Sequence, residues 1–207
     1  MNSYNIPLKG SKNMSQALAV KISGDKSTFY RCGFIGVQDT VWDVQGRHYF
    51  KLCTIVGAID FIFGNGQSIY ERCALVVNAG TLSGPGSITA QGRQSQYDQS
   101  GFVFKNCEVY GTGSTYLGRP WRDYARVLFY NCSMSNVVVS PGWDVWNLSG
   151  KENQLTFSEE KCNGIGSNTT QRVPWLTKLS QQELQQLTSI SFIDNEGWIM
   201  KQPLKVL

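Results

Sequence analysis

The chain has 207 residues, of which 41% are hydrophobic and 16% are charged, and this composition excludes a disordered or collagen-like protein. Its net charge of +4 favours an anionic partner, but the sequence has no dense Lys/Arg run, so we expect no nucleic-acid partner. No apolar run approaches the roughly 18 residues of a transmembrane helix, so we also expect no membrane partner.

The predicted elements begin with five short aromatic-rich strands, each of which ends in cysteine. They read STFYRC, RHYFKLC, QSIYERC, GFVFKNC and RVLFYNC and end at Cys32, Cys53, Cys73, Cys107 and Cys132. The intervals between these cysteines are 21, 20, 34 and 25 residues, a period typical of a solenoid with some longer loops. Turns with Gly and Asn separate the strands, so the pattern predicts a parallel β-helix whose coils stack about 4.8 Å apart.

The cysteines of such a solenoid would form a ladder of small apolar groups that point inward. We expect buried thiols, and a disulfide between neighbouring coils is the competing interpretation. The sequence has no C-x-x-C pair and only one histidine, so we expect no zinc site.

Two aspartates occupy the same position of the repeat. Asp39 and Asp60 each lie seven residues after a cysteine and are 21 residues apart, so stacked coils would make their carboxylates neighbours. Gln16 and Gln38 are 22 residues apart and extend this spacing one coil back. A single Asp in a β-solenoid commonly closes a turn by binding backbone amides.

The position of Asp60 favours a chemical role over a turn. It interrupts the apolar strand IDFIF, where an unpaired carboxylate would be costly to bury. Two neighbouring carboxylates separate their proton affinities and can supply a nucleophile or base together with an acid. Glutamine amides nearby can donate hydrogen bonds to a developing oxyanion without adding charge.

The last predicted element is a short helix near the C-terminus. The segment SQQELQQL at 180–187 begins with Ser180 and Glu183, which form the sequence pattern of a capping box. We expect this helix to belong to a structural tail that packs on the solenoid.

Several segments resemble, in the same order, motifs of plant pectin methylesterases (pectinesterases). They are QALAV at 16–20, VQDTVW at 37–42, GAIDFIFGNG at 57–66, ITAQGR at 88–93 and YLGRPWRDYARVLFYNC at 116–132. The resemblance implies a right-handed parallel β-helix with a short C-terminal helical tail. It implies a hydrolase that removes methyl esters from galacturonate units of pectin and releases methanol, without metal or cofactor, in pectin catabolism and cell wall modification.

The resemblance also implies partners, a location and residue roles. The substrate would be methyl-esterified homogalacturonan, a further partner would be a proteinaceous esterase inhibitor, and the protein would be a monomer secreted to the cell wall. Asp60 would be the nucleophile, Asp39 the acid and base, and Arg119 the residue that orients Asp60. Gln16 and Gln38 would stabilise the oxyanion. The residues expected to line the sugar-binding groove are Trp42, Phe63, Tyr116, Trp121 and Trp143.

The chain departs from the family at its beginning. The opening MNSYNIPLKGSKNM lacks the basic and apolar regions of a signal peptide and does not match the family well. The first coils of the family contain a Gly-x-Tyr-x-Glu motif, and this motif is missing from the chain. We expect a single domain over residues 1–207 that lacks the family's first coils. Such a solenoid would expose an edge near Gln16, with poor stability or weak activity as the consequence.

Two other functions remain open at this point. One is a different pectin-active β-helix enzyme, a glycosidase or a lyase, against which the QDT and LGRPW motifs argue. The other is a catalytically weak or inactive remnant that binds pectin or an inhibitor through the same groove.

Overall fold

The computed structural model describes residues 2–4 and 15–203, and this part of the chain forms three parallel β-sheets. Sheet A consists of β1 (Asn2–Tyr4), β4 (Gly33–Ile35), β7 (Thr54–Gly57), β10 (Ala74–Asn78), β13 (Glu108–Thr112) and β16 (Ser133–Met134). Sheet B consists of β2 (Val20–Ile22), β5 (Val41–Asp43), β8 (Ile59–Gly64), β11 (Gly86–Gln91) and β14 (Thr115–Pro120). Sheet C consists of β3 (Ser27–Tyr30), β6 (Arg47–Lys51), β9 (Gln67–Glu71), β12 (Gly101–Lys105), β15 (Arg126–Tyr130) and β17 (Thr156–Glu160).

Each coil passes through sheet B, then sheet C, then sheet A, and each strand pairs with the equivalent strands of neighbouring coils. Val20, Val41 and Ile62, for example, occupy one register position in three successive coils of sheet B. Every pairing is parallel, which confirms the predicted β-helix.

A left-handed residue turns the chain from sheet C into sheet A in coil after coil. The residue before each cysteine has a φ between 51° and 57°, a conformation that costs a non-glycine residue on the order of 1 kcal/mol. In the first five of these six positions, the N–H donates to a backbone carbonyl of the next coil, as from Leu52 to Glu71 at 3.0 Å and from Arg72 to Lys105 at 2.9 Å. These bonds repeat along the solenoid and offset the strain. The left-handed residues are Arg31, Leu52, Arg72, Asn106, Asn131 and Lys161.

The cysteines form the predicted inward ladder, and all six are thiols, so the disulfide interpretation is wrong. The thiol of Cys107 lies 3.3 Å from the carbonyl of Tyr70 in the preceding coil, and the thiol of Cys132 lies 3.5 Å from that of Phe104. Cys162 repeats this contact at 3.5 Å and is a further rung. The sequence pattern missed it because TFSEEKC has no aromatic residue at the end of its strand.

Stacked aromatic rings run beside the cysteines through the core. The centroids of successive rings are 4.4 to 4.8 Å apart, close to the spacing of the coils. This column buries a large apolar area in every coil and fixes the register between coils. Its members are Phe29, Phe50, Tyr70, Phe104 and Phe129.

A buried polar network lies at the turn between sheets B and C. His48 Nδ1 is 2.6 Å from a carboxylate oxygen of Asp43, and Nε2 is 2.9 Å from the carbonyl oxygen of Gly24. Tyr70 donates to the other oxygen of Asp43 at 2.7 Å. Because a carbonyl oxygen and an ionised carboxylate both accept, this geometry favours an imidazole that carries hydrogen on both ring nitrogens. Burial opposes this charge, but Asp43 outweighs it and raises the pKa of His48.

The predicted C-terminal helix is confirmed as α1 (Gln181–Thr188). Ser180 caps it, because its Oγ accepts from the N–H of Glu183 at 3.2 Å while the Glu183 carboxylate accepts from the N–H of Ser180 at 2.9 Å. Four apolar residues of the tail cover an apolar column on the outer face of sheet C. The tail residues are Leu187, Ile193, Trp198 and Ile199, and the column is Tyr49, Ile69, Val103 and Leu128. Short 3₁₀ turns span Glu152–Gln154, Ile165–Ser167, Ile190–Phe192 and Ile199–Lys201.

Among the described strands, two of the three sheets end at the edge expected near Gln16. β2 and β3 are the outermost described strands of sheets B and C, whereas β1 pairs with β4 at the edge of sheet A. Gln16 is exposed. The rest of the unmatched opening, residues 1 and 5–14, lies outside the described residues. Over the described ranges, no helix has the length and apolar character needed to cross a membrane.

Candidate active site

Asp60 belongs to a β-bulge between β8 and β11. Ile59 pairs with Ser87 and Ile62 with Thr89, so two residues of β8 face one residue of β11. The backbone of Asp60 has a φ of 46°, which is uncommon for a residue other than glycine. A bulge re-aims a side chain, and here it turns the carboxylate out of an apolar strand and into a surface cleft.

Asp39 occupies the equivalent position one coil earlier. Its N–H donates to the carbonyl of Ile59 at 3.0 Å, and its φ is 62°. Asp39 and Asp60 are 8% and 7% exposed, and both line the same cleft. The register predicted from the 21-residue spacing is therefore confirmed, and two buried carboxylates meet on adjacent coils.

Arg119 of β14 binds the Asp60 carboxylate through two hydrogen bonds. Its Nε donates to Oδ1 at 2.8 Å and its Nη2 donates to Oδ2 at 2.6 Å. The ring of Trp146 lies over the guanidinium, with 3.9 Å between the ring centroid and Cζ. A bidentate pair fixes both the position and the orientation of a carboxylate.

The surroundings of the two carboxylates differ. Burial is the largest cause that raises the pKa of Asp39 to about 6, and the negative charge of Asp60 adds to it, while Arg119 acts in the opposite direction. Asp60 instead forms an ion pair with the guanidinium of Arg119, with 2.6 Å between Oδ2 and Nη2. Asp39 can therefore keep its proton up to about pH 6, while Asp60 lies against the guanidinium of Arg119.

Aromatic rings form the walls of the cleft around these acids. The cleft has a volume of about 440 Å³. The ring of Trp42 stacks on that of Phe63 with centroids 5.5 Å apart, and Trp121 meets Phe63 edge to face at 5.9 Å. Rigid aromatic faces beside a few polar groups are typical of a small-ligand site. The lining residues are Gln16, Leu18, Asp39, Trp42, Asp60, Phe63, Ala90, Trp121 and Trp146.

The structure brings most of the predicted site residues together. Gln16, Trp42, Phe63 and Trp121 line the cleft, as the sequence predicted. Gln38 and Tyr116 are half-buried and are not among the described residues that line it. Gln38 immediately precedes Asp39 and forms a β-bridge with Ile59, whereas Tyr116 lies opposite Ser87 on sheet B.

The prediction that Trp143 lines the groove is wrong. Trp143 is 1% exposed, its ring stacks on Phe157 at 4.5 Å, and its Nε1 donates to Glu159 at 2.9 Å. The ring therefore extends the core. Trp146, three residues later, takes the place in the cleft that the sequence assigned to Trp143.

Two residues of the site were missed from the sequence. Trp146 lies in the segment PGWDVW, where either tryptophan could have been chosen. Ser87 donates a hydrogen bond to Asp60. Its position beside Asp60 could not be predicted from the repeat spacing, because the connection between β10 and β11 is longer than those of the earlier coils. No cluster of three or more His, Cys, Asp or Glu suited to a metal occurs among residues 15–203.

Comparison with known proteins gives a consistent result. A family model described as Pectinesterase matches residues 6–196. Probable pectinesterase 29 of Arabidopsis thaliana is 54% identical over 208 residues, which cover 98% of this chain and 62% of the relative. Probable pectinesterase 55 of the same plant is 52% identical over 211 residues, covering 99% and 64%. The chain spans less than two thirds of the length of either relative.

A solved structure of pectin methylesterase from carrot has the same fold. It aligns with a TM-score of 0.89 and 30% sequence identity, and the alignment covers 99% of this chain and 67% of the carrot chain. This likeness agrees with the β-helix built from the three parallel sheets.

Proposed function

Because the chain belongs to the pectinesterase family, we propose that it hydrolyses the methyl esters of galacturonate units in pectin. The observation that carries the proposal is the pair of unlike acids on adjacent coils. Arg119 binds both oxygens of Asp60, while burial raises the pKa of Asp39 to about 6. An ester hydrolysis in which one carboxylate is the nucleophile and the other carboxyl group is the acid uses this asymmetry.

In the first step, a carboxylate oxygen of Asp60 attacks the carbonyl carbon of the methyl ester. A tetrahedral oxyanion forms, and the side-chain amide of Gln16, which lines the cleft, donates to it. The half-buried amide of Gln38 would have to turn toward the cleft to add a second donor. The bond from carbon to the methoxy oxygen then breaks, Asp39 gives its proton to that oxygen, and methanol leaves. Asp60 now carries the galacturonyl group as a mixed anhydride, and Asp39 is a carboxylate.

In the second step, Asp39 works in the opposite direction. Its carboxylate takes a proton from a water molecule as the water oxygen attacks the galacturonyl carbon. The anhydride bond breaks, galacturonate is released and Asp60 is again a carboxylate. Arg119 holds Asp60 in position through both steps, so one water and one ester give one acid and one methanol.

The shape and charge of the chain suit a polymeric sugar. The aromatic walls formed by Trp42, Phe63 and Trp121 offer flat faces on which pyranose rings can stack. The net charge of +4 favours a polymer that becomes anionic as its esters are removed.

The biological setting follows from this substrate. We propose that residues 1–207 form one domain that acts as a monomer in the plant cell wall after secretion. A proteinaceous esterase inhibitor that covers the cleft is the partner expected besides pectin itself.

A product analysis tests the proposed reaction against its alternatives. Purified protein is incubated with highly methyl-esterified homogalacturonan, and methanol, new titratable acid, reducing ends and unsaturated products are measured together. We expect methanol and acid in equal amounts, with no increase in reducing ends or unsaturated sugars. New reducing ends would indicate a glycosidase, and unsaturated products would indicate a lyase; either result would contradict the proposal.

A further inference from the structure

Ser87 is placed to control the Asp60 carboxylate from behind the cleft. It lies on β11 opposite Ile59, is 1% exposed and is not among the residues that line the cleft. A substrate in the cleft would therefore meet Asp60 and not Ser87. Any contribution of Ser87 to the reaction has to act through its neighbour.

The hydroxyl of Ser87 makes two hydrogen bonds to the same residue. Its Oγ donates to Oδ1 of Asp60 at 2.5 Å and accepts from the backbone N–H of Asp60 at 3.0 Å. One group thus ties the side chain of Asp60 to its own backbone. Because that backbone is left-handed and sits in a bulge, the tie also stabilises a conformation that is otherwise unfavourable.

The hydrogen bonds to the two carboxylate oxygens of Asp60 are unequal. Oδ1 accepts from the Ser87 hydroxyl and from Nε of Arg119, whereas Oδ2 accepts from Nη2 of Arg119. A carboxylate has about four lone-pair sites, two on each oxygen. Both sites of Oδ1 are therefore occupied, and Oδ2 retains one that can form a new bond.

We propose that Ser87 is a positioning residue that occupies Oδ1 and thereby assigns Oδ2 of Asp60 as the atom that attacks the ester. This inference rests on the proposed esterase function and deepens it. Without the hydroxyl, Oδ1 regains a free lone pair, and the two hydrogen bonds from Arg119 alone hold the carboxylate. The attack is then shared between the two oxygens in place of Oδ2 alone, which slows the chemical step and leaves substrate binding unaffected.

Substitutions at Ser87 test this role through the separate effects on kcat and KM. Ser87→Ala removes the hydroxyl, and we expect kcat for methanol release to fall by about 10- to 100-fold, as for a lost hydrogen bond to a charged group, with KM unchanged. Ser87→Thr keeps a hydroxyl and should recover most of kcat. Ser87→Cys keeps only a weak S–H donor and should fall between the two.

A matched control comes from another buried serine. Ser158 of β17 is 0% exposed, and its Oγ has no hydrogen-bond partner within the described part of the chain. Ser158→Ala should therefore leave both kcat and KM at the wild-type values. Thermal unfolding of every variant, followed by circular dichroism, separates loss of folded protein from loss of rate per folded molecule.

The outcomes distinguish this inference from the function on which it rests. Folded wild-type protein that releases no methanol would overturn the proposed function and the inference together. Active wild-type protein with a folded Ser87→Ala variant of equal kcat would overturn the inference alone. The inference would also be overturned if the Ala, Cys and Thr variants were equally slow, or if Ser87→Ala raised KM in place of lowering kcat.

Discussion

Replacement of Arg119 by lysine measures how much the two hydrogen bonds from Arg119 to Asp60 contribute to kcat. Lysine keeps the positive charge but presents a single ammonium group, so one of the hydrogen bonds at 2.8 and 2.6 Å is lost. A hydrogen bond to a charged group contributes about 1.5–3 kcal/mol, and the weakened contact with the Trp146 ring adds about 0.5 kcal/mol. The sum of about 2–3.5 kcal/mol corresponds to a fall in kcat of roughly 30- to 400-fold.

Arg119→Gln should be more severe, because it removes the charge as well as the geometry. Asp60 would then be left as a buried carboxylate without a cation, a change that typically costs about 3–5 kcal/mol. Methanol release by an alcohol-oxidase-coupled assay gives kcat, and circular dichroism reports the folded fraction. Arg122→Lys is the matched control, since Arg122 is exposed and its guanidinium lies over the Trp121 ring. A wild-type kcat in Arg119→Lys, or an equal loss in Arg122→Lys, would refute the reasoning.

Further predictions concern pH and the core. Because burial raises the pKa of Asp39 to about 6, kcat/KM should fall about tenfold per pH unit above that value, and a flat profile up to pH 9 would contradict this role. Burial lowers the pKa of His48, but Asp43 outweighs it and raises that pKa in the folded protein. The charged pair therefore stabilises the fold fully at pH values below the pKa of His in the unfolded chain, about 6.5. This stabilisation is lost as the pH rises through the higher pKa of His48 in the folded protein. The difference in Tm between wild type and His48→Gln should therefore be larger at pH 6 than at pH 10, and an equal difference at both would exclude the charged form. Phe104→Ala interrupts the aromatic column between Tyr70 and Phe129 and should lower the free energy of unfolding by about 3–5 kcal/mol in urea titrations, whereas a loss below ~1 kcal/mol would show that the column contributes little.

The register of the site could be predicted because two successive coils have the same length. Asp39 and Asp60 are separated by the same 21 residues as Cys32 and Cys53, so sequence spacing translated directly into stacking. The next coil is longer, since the connection between β10 and β11 spans residues 79–85. Ser87 therefore falls outside any simple period, although it touches Asp60.

The mistaken position of Trp143 has a similar origin. After β14 the chain leaves the regular repeat of sheet B, and Gly142 adopts a φ of 73° immediately before the tryptophan. That bend points Trp143 inward, whereas Trp146 emerges over Arg119. Motif position alone cannot reveal which of two nearby tryptophans faces solvent, because the answer depends on backbone dihedral angles.

The left-handed bends could not be predicted from residue type either. Arg31, Leu52 and Arg72 are not residues that favour a positive φ, yet each adopts it before a cysteine. The hydrogen bonds between coils impose this conformation, so tertiary structure overrides local preference. The same principle applies to Asp60, whose left-handed backbone is supported by Ser87 and the bulge.

The most direct test of the proposed mechanism is methanol release by wild type and Asp60→Asn under identical conditions. The two side chains are nearly the same size, so circular dichroism should show equal folding. We predict methanol release from methyl-esterified pectin by the wild type and a loss of at least about 10³-fold in the Asn variant, since an amide oxygen is a far weaker nucleophile. Equal rates in the two proteins, or a folded wild type that binds pectin without releasing methanol, would contradict the central claim that Asp60 is the nucleophile of an esterase.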